Sequence, residues 1–383
     1  MGRIKLGLLG STGSVGSQTL EVVKAFKEEV ELTGLLARRA SEKLLLQARE
    51  FRPRFVVSYE EPSRDWLERL PPGTKYLKGD EGLAAIVESS ERVMNAVAGV
   101  HGIKPAYETL RRGKLLLASN KESLICLSFL IARKRSSVLP VDSEHNALFQ
   151  LIKKVKPEEV KSYCLTASGG PFKDRSPEEL ESVTVEEALK HPRWNMGAKI
   201  TVDSATLMNK GLELLEAVSL FGLPLERLKV LVHPQSVVHA LIELVDGSYL
   251  LHASPTDMRI PIMHALFYPE RKPYPFKAPS LAELSPLEFE EADPERFPAL
   301  RLAYEAGRLG GAYPCLLVGA DEEAVKLFLE RKIPFTAIVK LVEEALGRAS
   351  LPPPRTPEEA LRTALEGSRL VREIYEQRYV ARL

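Results

Sequence analysis

The chain has 383 residues, 44% of them hydrophobic and 27% charged, with 53 basic against 52 acidic side chains and a formal net charge of +1. That length accommodates two or three domains of ordinary size, and the balanced charge excludes a long-range field for nucleic acid or an anionic membrane, so any phosphate must be held by local groups. No apolar run approaches the ~18 residues of a membrane span, "MGRIKLGLLGSTGSVG" reads as a strand instead of a signal sequence, and three scattered cysteines (Cys126, Cys164, Cys315) form no disulfide framework, so a cytoplasmic protein is expected.

From residue 4 to about 142, short β-branched or apolar runs alternate with helix-patterned segments. The runs "IKLGLLG", "VELTGLLA", "RFVVSY", "RVMNAVAG", "KLLLAS" and "SSVLPV" read as six strands of βαβ units, hence a parallel sheet. From 160 to about 255 the pattern is mixed, with "KVLVHPQSVVHALIELVDGSYLLHAS" reading as strands around an Asp246-Gly247 turn. The proline-rich stretch Pro269 to Pro298 lacks periodicity and reads as a surface linker. Residues 299 to 383 are helical in pattern, interrupted by "SLPPPRTP". The expected fold is α/β, with a Rossmann-like parallel-sheet domain over 1–142 and a central α+β domain over 143–268 carrying a flap near 190–197. A linker over 269–298 and a C-terminal helical domain over 299–383 follow. Five asparagines, five glutamines and 27 prolines beside abundant charge follow the compositional trend of thermophilic proteins.

In "LGLLGSTGSVG" the first strand runs into Gly10, Gly13 and Gly16, a G-x-x-G-x-x-G variant of the dinucleotide fingerprint. Glycines there let the backbone turn tightly and approach a pyrophosphate seated on the next helix, expected to begin near Ser14. The second strand ends in "LLARRAS", where Arg38 and Arg39 replace the acid that would hold ribose hydroxyls. This suits a 2′-phosphate and NADP; the alternative is a tight turn followed by a solvated basic pair. Gly99 and Gly102, after the fourth run, could let a loop approach the nicotinamide side.

In "LPVDSEHNALF" (139–149), Asp142 and Glu144 stand at i and i+2, on one side of an extended chain, and could converge on one cation. They could equally be the N-cap and a first-turn acid of a helix from Ser143. In "VDSATLMNKGLELLEA", a helix from about Ala205 makes Asn209 and Glu213 i,i+4 neighbours and Lys210 and Glu213 i,i+3, with Glu216 one turn further. The plainer alternative is an amphipathic helix with a Lys-Glu surface pair. "LTASGGPF" (165–172) is a small-residue loop able to donate to a phosphate. "KHPRWNMG" (190–197) sets Trp194 among polar and glycine residues, as in a lid that excludes water or as a packed surface tryptophan. Together Asp142, Glu144 and Glu213 could make an oxygen-rich site for Mg²⁺ or Mn²⁺; no histidine pair has the HExxH spacing of a zinc site. His191 and His239 are the histidines kept as candidates.

The motifs "GSTGSVG", "SNKESL", "PVDSEHNALFQ", "SGGPF", "HPRWNMG", "VDSATLMNKGLE", "HPQSVVHALIE" and "DMRIPI", in order from residue 4 to about 320, together resemble the 1-deoxy-D-xylulose 5-phosphate reductoisomerase family. The resemblance implies an NADPH- and divalent-metal-dependent enzyme of non-mevalonate isoprenoid biosynthesis, a homodimer acting on a phosphosugar without nucleic-acid or membrane partners. It implies Asp142, Glu144 and Glu213 as ligands of Mg²⁺ or Mn²⁺. The substrate phosphate would go to Ser168, Ser204, Asn209 and Lys210 with His191 close by. Ser143 and Lys121 would face the substrate hydroxyls, with Trp194 and Met196 in a mobile flap. Ser11, Thr12, Gly13, Ser14 and Val15 would meet the NADPH phosphates, Ala37, Arg38 and Arg39 the adenosine side, and Gly99, Asn120, Lys121 and Glu122 the nicotinamide side. Lys121, Glu144, Glu213 and His191 are the expected catalytic set. The chain departs from the family pattern at Ala167, where many members have glycine, and at His101, where a small residue is expected.

The chemistry this implies breaks and remakes a carbon-carbon bond in a hydroxyketone, by retro-aldol and aldol steps, and then reduces the branched aldehyde with hydride from NADPH. Two rival readings remain from the residues. A semialdehyde-type dehydrogenase needs a nucleophilic cysteine, and Cys126 lies among apolar neighbours where a thiol is inert. A dinucleotide sensor leaves the carboxylate and phosphate-type sites without purpose.

Overall fold

The computed structural model describes residues 2–381 except 192, 193, 195, 285, 294 and 295. The chain divides into two units: residues 1–120, 134–146 and 257–276, and residues 121–133, 147–256 and 277–383.

In the first unit seven parallel strands form one sheet: β1 (Ile4–Leu9), β2 (Val30–Ala37), β3 (Phe55–Ser58), β4 (Lys75–Lys78), β5 (Arg92–Asn95), β6 (Leu115–Ala118) and β7 (Val138–Pro140). Their order is β4-β3-β2-β1-β5-β6-β7, so chain direction across the sheet reverses between β1 and β5. Ligands of such sheets sit at that switch point, beyond the carboxyl ends of the strands. Near-continuous apolar runs such as "LGLL" form the strands because helices cover both faces, and Leu6, Leu8, Leu9 and Leu35 are fully buried. Six of these strands coincide with the apolar runs quoted above. β4 matches none of them because "KYLK" is an edge strand burying only Leu77, with lysines at both ends, the composition that protects an edge and masks an apolar run.

The segment 257–276, expected to divide between the catalytic domain and the linker, packs with this first unit. Arg92 supplies the reason: its guanidinium donates to the carbonyls of Ala265 (3.3 Å), Leu266 (2.7 Å) and Tyr268 (3.0 Å), capping the helix Arg259–Phe267. Phe267 meets Phe26 with ring centroids 4.8 Å apart. Arg259 pairs with Asp257 and Glu21 and lies over the ring of Phe276.

The second unit holds a mixed sheet of β8 (Val160–Ala167), β9 (Leu228–Val232), β10 (Val238–Leu244), β11 (Tyr249–Ala253) and β12 (Glu290–Glu291), ordered β11-β10-β8-β9-β12. β10 and β11 are antiparallel around the expected turn, where Gly247 takes φ +86° and Ser248 donates its amide to Asp246 Oδ1 at 2.9 Å. The short β12 lies inside the stretch read as a linker and pairs with β9. Leu214 and Ala217 of the helix Met208–Phe221, Leu300 of the helix Pro298–Leu309, and Leu165, Val230 and Ile242 of the sheet share one core. The C-terminal helices Tyr313–Leu329 and Pro357–Tyr375 approach backbone to backbone: a Cβ on Gly319 would strike the Ala364 carbonyl, and one on Gly367 that of Leu316. Among the described residues no helix is long and apolar enough to cross a membrane.

Candidate active site

The glycine loop follows β1. Gly10 takes φ +84°, and a Cβ there would strike the Ala96 carbonyl beyond β5, so only glycine lets the two strand ends come this close. A Cβ on Gly16 would strike the Gly10 carbonyl, which fixes how tightly the helix Ser14–Ala25 sits on the loop. Gly13 is the N-cap of that helix, without a side-chain cap and with no acid in the first turn, so the amides around Ser14 and Val15 face outward at the positive end of the helix dipole. An anion there gains about 0.3–1 kcal/mol beyond its hydrogen bonds. Ser11 is fully buried and its hydroxyl has no hydrogen-bond partner. An orphaned hydroxyl beside an uncapped helix start fits a dinucleotide phosphate.

Two further residues, which no motif singles out, brace this loop. Lys43 Nζ donates to the Thr12 carbonyl (2.7 Å) and Gln47 Nε2 to the Ser11 carbonyl (2.9 Å). They stand i,i+4 on the helix Glu42–Phe51, a spacing visible in sequence once the loop is assigned. Ala37 ends β2, and the exposed Arg38 and Arg39 after it share Glu60 at 3.4 and 3.2 Å. Beyond β5 and β6, Gly99 takes φ +61° and its carbonyl accepts from Asn120 Nδ2 at 2.9 Å. Asn95 Nδ2 donates to the Gly102 carbonyl. His101 is exposed, so the larger side chain costs no packing.

Asp142 follows β7 and precedes the helix Ser143–Ile152, accepting at its carbonyl from the Asn146 amide (2.8 Å), which is the backbone position of an N-cap. Ser143 Oγ donates to Glu144 Oε2 at 2.6 Å. Asn146 Nδ2 reaches the Pro140 carbonyl (2.9 Å) and His264 Nδ1 (3.0 Å), fastening that turn to the segment 257–276. Asp142, Ser143 and Glu144 belong to the first unit, and Glu213 to the second.

In the second unit, the expected single helix from Ala205 is two helices, Ala198–Thr206 and Met208–Phe221, broken at Leu207 with φ +62°. The break redirects the chain without disturbing the i,i+3 and i,i+4 spacing after it. Glu213, 1% exposed, accepts from Asn209 Nδ2 (2.8 Å), from Lys121 Nζ (3.2 Å) and from Lys210. Lys121 also donates to Asn209 Oδ1 at 2.7 Å. The Lys-Glu surface pair is thus a buried cluster, in which two ammonium groups and an amide compensate one carboxylate. Within the first unit, Asp142 and Glu144 offer carboxylate oxygens, the donor type that hard divalent ions take.

The "SGGPF" loop follows β8, with Gly169 at φ +85° and Gly170 at φ +68°. A Cβ on Gly170 would lie 2.5 Å from the Ser204 carbonyl, so this turn is pressed against the helix that carries Ser204. His191 Nε2 lies 3.1 Å from Ser168 Oγ and 3.0 Å from Ser204 Oγ, and its Nδ1 accepts the Trp194 amide at 2.8 Å. Burial lowers His191 from 6.5 to about 4, so the ring is neutral, and with Nδ1 accepting, the proton resides on Nε2. That N–H points at the two serine oxygens and turns their hydroxyl hydrogens outward as donors. Trp194 lies 6.2 Å, centroid to centroid, from His239, whose Nε2 is 3.2 Å from the Ser254 carbonyl. Met196 is half-buried, and residues 192, 193 and 195 of the segment expected to form a flap lie outside the described residues. Glu122 Oε1 lies 3.9 Å from Lys199. Cys126 is fully buried, and burial pushes its thiol well above the ordinary value, which removes the nucleophile that a semialdehyde-type dehydrogenase needs.

Three family models match the chain: 1-deoxy-D-xylulose 5-phosphate reductoisomerase over residues 6–128, its C-terminal domain over 138–221, and DXP reductoisomerase C-terminal domain over 253–374. The chain is 62% identical over 379 residues to the 1-deoxy-D-xylulose 5-phosphate reductoisomerase of Aquifex aeolicus, covering 99% of this chain and 100% of that one. It is 48% identical over 353 residues to that of Thermomicrobium roseum, covering 90% and 91%. Among solved structures, the Zymomonas mobilis reductoisomerase in complex with NADPH matches with a TM-score of 0.90 at 37% identity, covering 98% of this chain and 99% of that one. A DOX-P reductoisomerase in complex with NADPH, fosmidomycin and magnesium matches with a TM-score of 0.87 at 35% identity, covering 98% of each. On these matches, the chain belongs to the 1-deoxy-D-xylulose 5-phosphate reductoisomerase family.

Proposed function

We propose that this protein converts 1-deoxy-D-xylulose 5-phosphate to 2-C-methyl-D-erythritol 4-phosphate in isoprenoid precursor biosynthesis, using NADPH and a divalent metal ion. The observation that carries the reading is the neutral His191 set between the hydroxyls of Ser168 and Ser204 over the Gly169-Gly170 turn. This set presents donors to a phosphate without burying an unpaired charge. NADPH and magnesium in the complexes of relatives support the cofactor assignment.

The first unit is the main NADPH-binding body, with Ser11, Thr12, Gly13, Ser14 and Val15 at the phosphates, Ala37, Arg38 and Arg39 at the adenosine 2′-phosphate, and Gly99 and Asn120 toward the nicotinamide, where Lys121 and Glu122 of the second unit are also assigned. The divalent ion is assigned to Asp142 and Glu144 together with Glu213. When bound, it supplies a Lewis acid for the carbon-carbon rearrangement, and NADPH supplies hydride for the reduction. Ser168, Ser204 and Asn209, with His191 behind them, bind the substrate phosphate. Lys210 joins them, and Lys121 turns with Ser143 to the substrate hydroxyls, once the carboxylate they now share at Glu213 is compensated otherwise. Trp194 and Met196, on the flap, exclude water from a reactive enediolate.

The protein is further proposed to act in the cytoplasm as a homodimer, with Mn²⁺ able to replace Mg²⁺ and with the thermal habit its composition suggests. The edge strand β11, with Tyr249 and Leu251 exposed beside Val245, supports the dimer. Product analysis tests the function: incubation of 1-deoxy-D-xylulose 5-phosphate with NADPH and Mg²⁺ yields the branched polyol phosphate with equimolar NADPH consumed. An unbranched reduction product would identify a plain dehydrogenase.

A further inference from the structure

The helix Ala198–Thr206 carries a lysine that the chemistry above leaves unused. Lys199 Nζ lies 2.5 Å from Asp203 Oδ2 one turn along, 2.7 Å from Asp321 Oδ2 on the helix Tyr313–Leu329, and 3.9 Å from Glu122 Oε1 on the helix Lys121–Cys126. The Lys199 side chain is 27% exposed, while those of Asp203 and Asp321 are 3% and 0% exposed. Asp203 Oδ1 and Asp321 Oδ1 have no hydrogen-bond partner. Burial, then the neighbouring Asp321, pushes the Asp203 carboxyl well above the usual range. Burial works against the Lys199 charge, but Asp203, Asp321 and Glu122 overcome it.

Such a cluster is a poor source of stability, because apolar side chains of similar volume generally do as well. What it supplies is register among three segments distant in sequence. Ser204 follows Asp203 and meets His191 at 3.0 Å; Lys121 precedes Glu122 and meets Asn209 at 2.7 Å. We infer that Lys199 is a positioning residue that, by tying Glu122, Asp203 and Asp321 to one ammonium, fixes Ser204 against His191 and Lys121 against Asn209 and Glu213. The C-terminal helical segment thereby acts on the substrate site through Asp321. The inference rests on the proposed phosphate role of Ser204.

The test compares Lys199→Gln, Lys199→Arg, Asp321→Asn and Ser204→Ala. Misplacement of substrate-binding groups by a fraction of an ångström raises the KM for 1-deoxy-D-xylulose 5-phosphate about tenfold in Lys199→Gln and about fivefold in Asp321→Asn. The KM for NADPH, most of whose contacts are assigned to the glycine loop and the Arg38-Arg39 pair, rises by much less, and Lys199→Arg recovers most of the loss. Asp321→Asn relieves the crowding of buried carboxylates and keeps an acceptor for the ammonium, so it carries the test if Lys199→Gln does not fold. An unchanged substrate KM in Asp321→Asn, whatever happens to Tm, overturns the inference, as does an equal rise in both Michaelis constants. If Ser204→Ala leaves the substrate KM unchanged, the phosphate assignment itself fails; if it raises KM while Asp321→Asn does not, only the positioning role fails.

Discussion

Replacing Glu213 with Gln removes one negative charge from a site where the carboxylate is 1% exposed and accepts from two ammonium groups and an amide. Removing one member of a buried charge pair costs ~3–5 kcal/mol, because the partner is left uncompensated. Gln keeps one acceptor oxygen for Lys121 or Asn209, so the lower end, about 3 kcal/mol, applies to the metal-free protein. At about 2 °C per kcal/mol for a body of this size, Tm in the presence of a chelator falls by about 6 °C. Turnover falls further, by at least about 100-fold, because the ion loses an anionic ligand and the Lewis-acid contribution is worth several kcal/mol. NADPH binding, most of whose contacts are assigned to the glycine loop and the Arg38-Arg39 pair, is largely retained. Thermal melts with chelator, followed by NADPH titration and turnover with Mg²⁺, measure all three. Wild-type turnover would remove Glu213 from the ion site, and an undiminished Tm would contradict the charge accounting.

Other outcomes follow from the same geometry. Arg39→Ala, losing a charge-assisted contact worth about 1.5 kcal/mol, raises the KM for NADPH about tenfold and leaves NADH use unchanged; an unchanged preference would move the 2′-phosphate contact elsewhere. Because the folded His191 value of about 4 lies below 6.5, the unfolded chain binds the extra proton between these values. Its contribution to stability is therefore complete above pH 6.5 and is lost as pH falls toward 4. NMR of the histidine ring in the substrate-free enzyme should show no His191 titration between pH 6 and 8 and a proton on Nε2, whereas a midpoint near 6.5 would show the ring to be solvated. Trp194→Ala weakens flap closure and raises the substrate KM about tenfold while sparing NADPH; unchanged values would make Trp194 a packing residue.

Much of the first unit was legible because a parallel sheet covered on both faces leaves continuous apolar runs, and the glycine loop declares itself by following β1. The edge strand β4 was not, since lysines at both ends hide its one buried leucine. In the second unit, the spacing of Asn209, Lys210 and Glu213 forecast their contact, but the break at Leu207 was hidden because no glycine or proline marks it. The convergence of Ser168, His191 and Ser204 comes from three segments, and no local period could reveal it. The same holds for Lys199 and Asp321, 122 residues apart, and for Arg92, whose three carbonyl partners lie beyond residue 264. Local pattern finds elements and neighbours on one element; contacts closed by tertiary structure were reached only through the family resemblance or not at all.

The central claim, a metal-dependent reductoisomerase, is tested most directly by following NADPH oxidation with 1-deoxy-D-xylulose 5-phosphate before and after chelation and after restoring Mg²⁺ or Mn²⁺. Oxidation that stops with the chelator and returns with either ion is the result predicted. Oxidation that continues unchanged without metal would contradict it, and would leave Asp142 as the N-cap of the helix Ser143–Ile152.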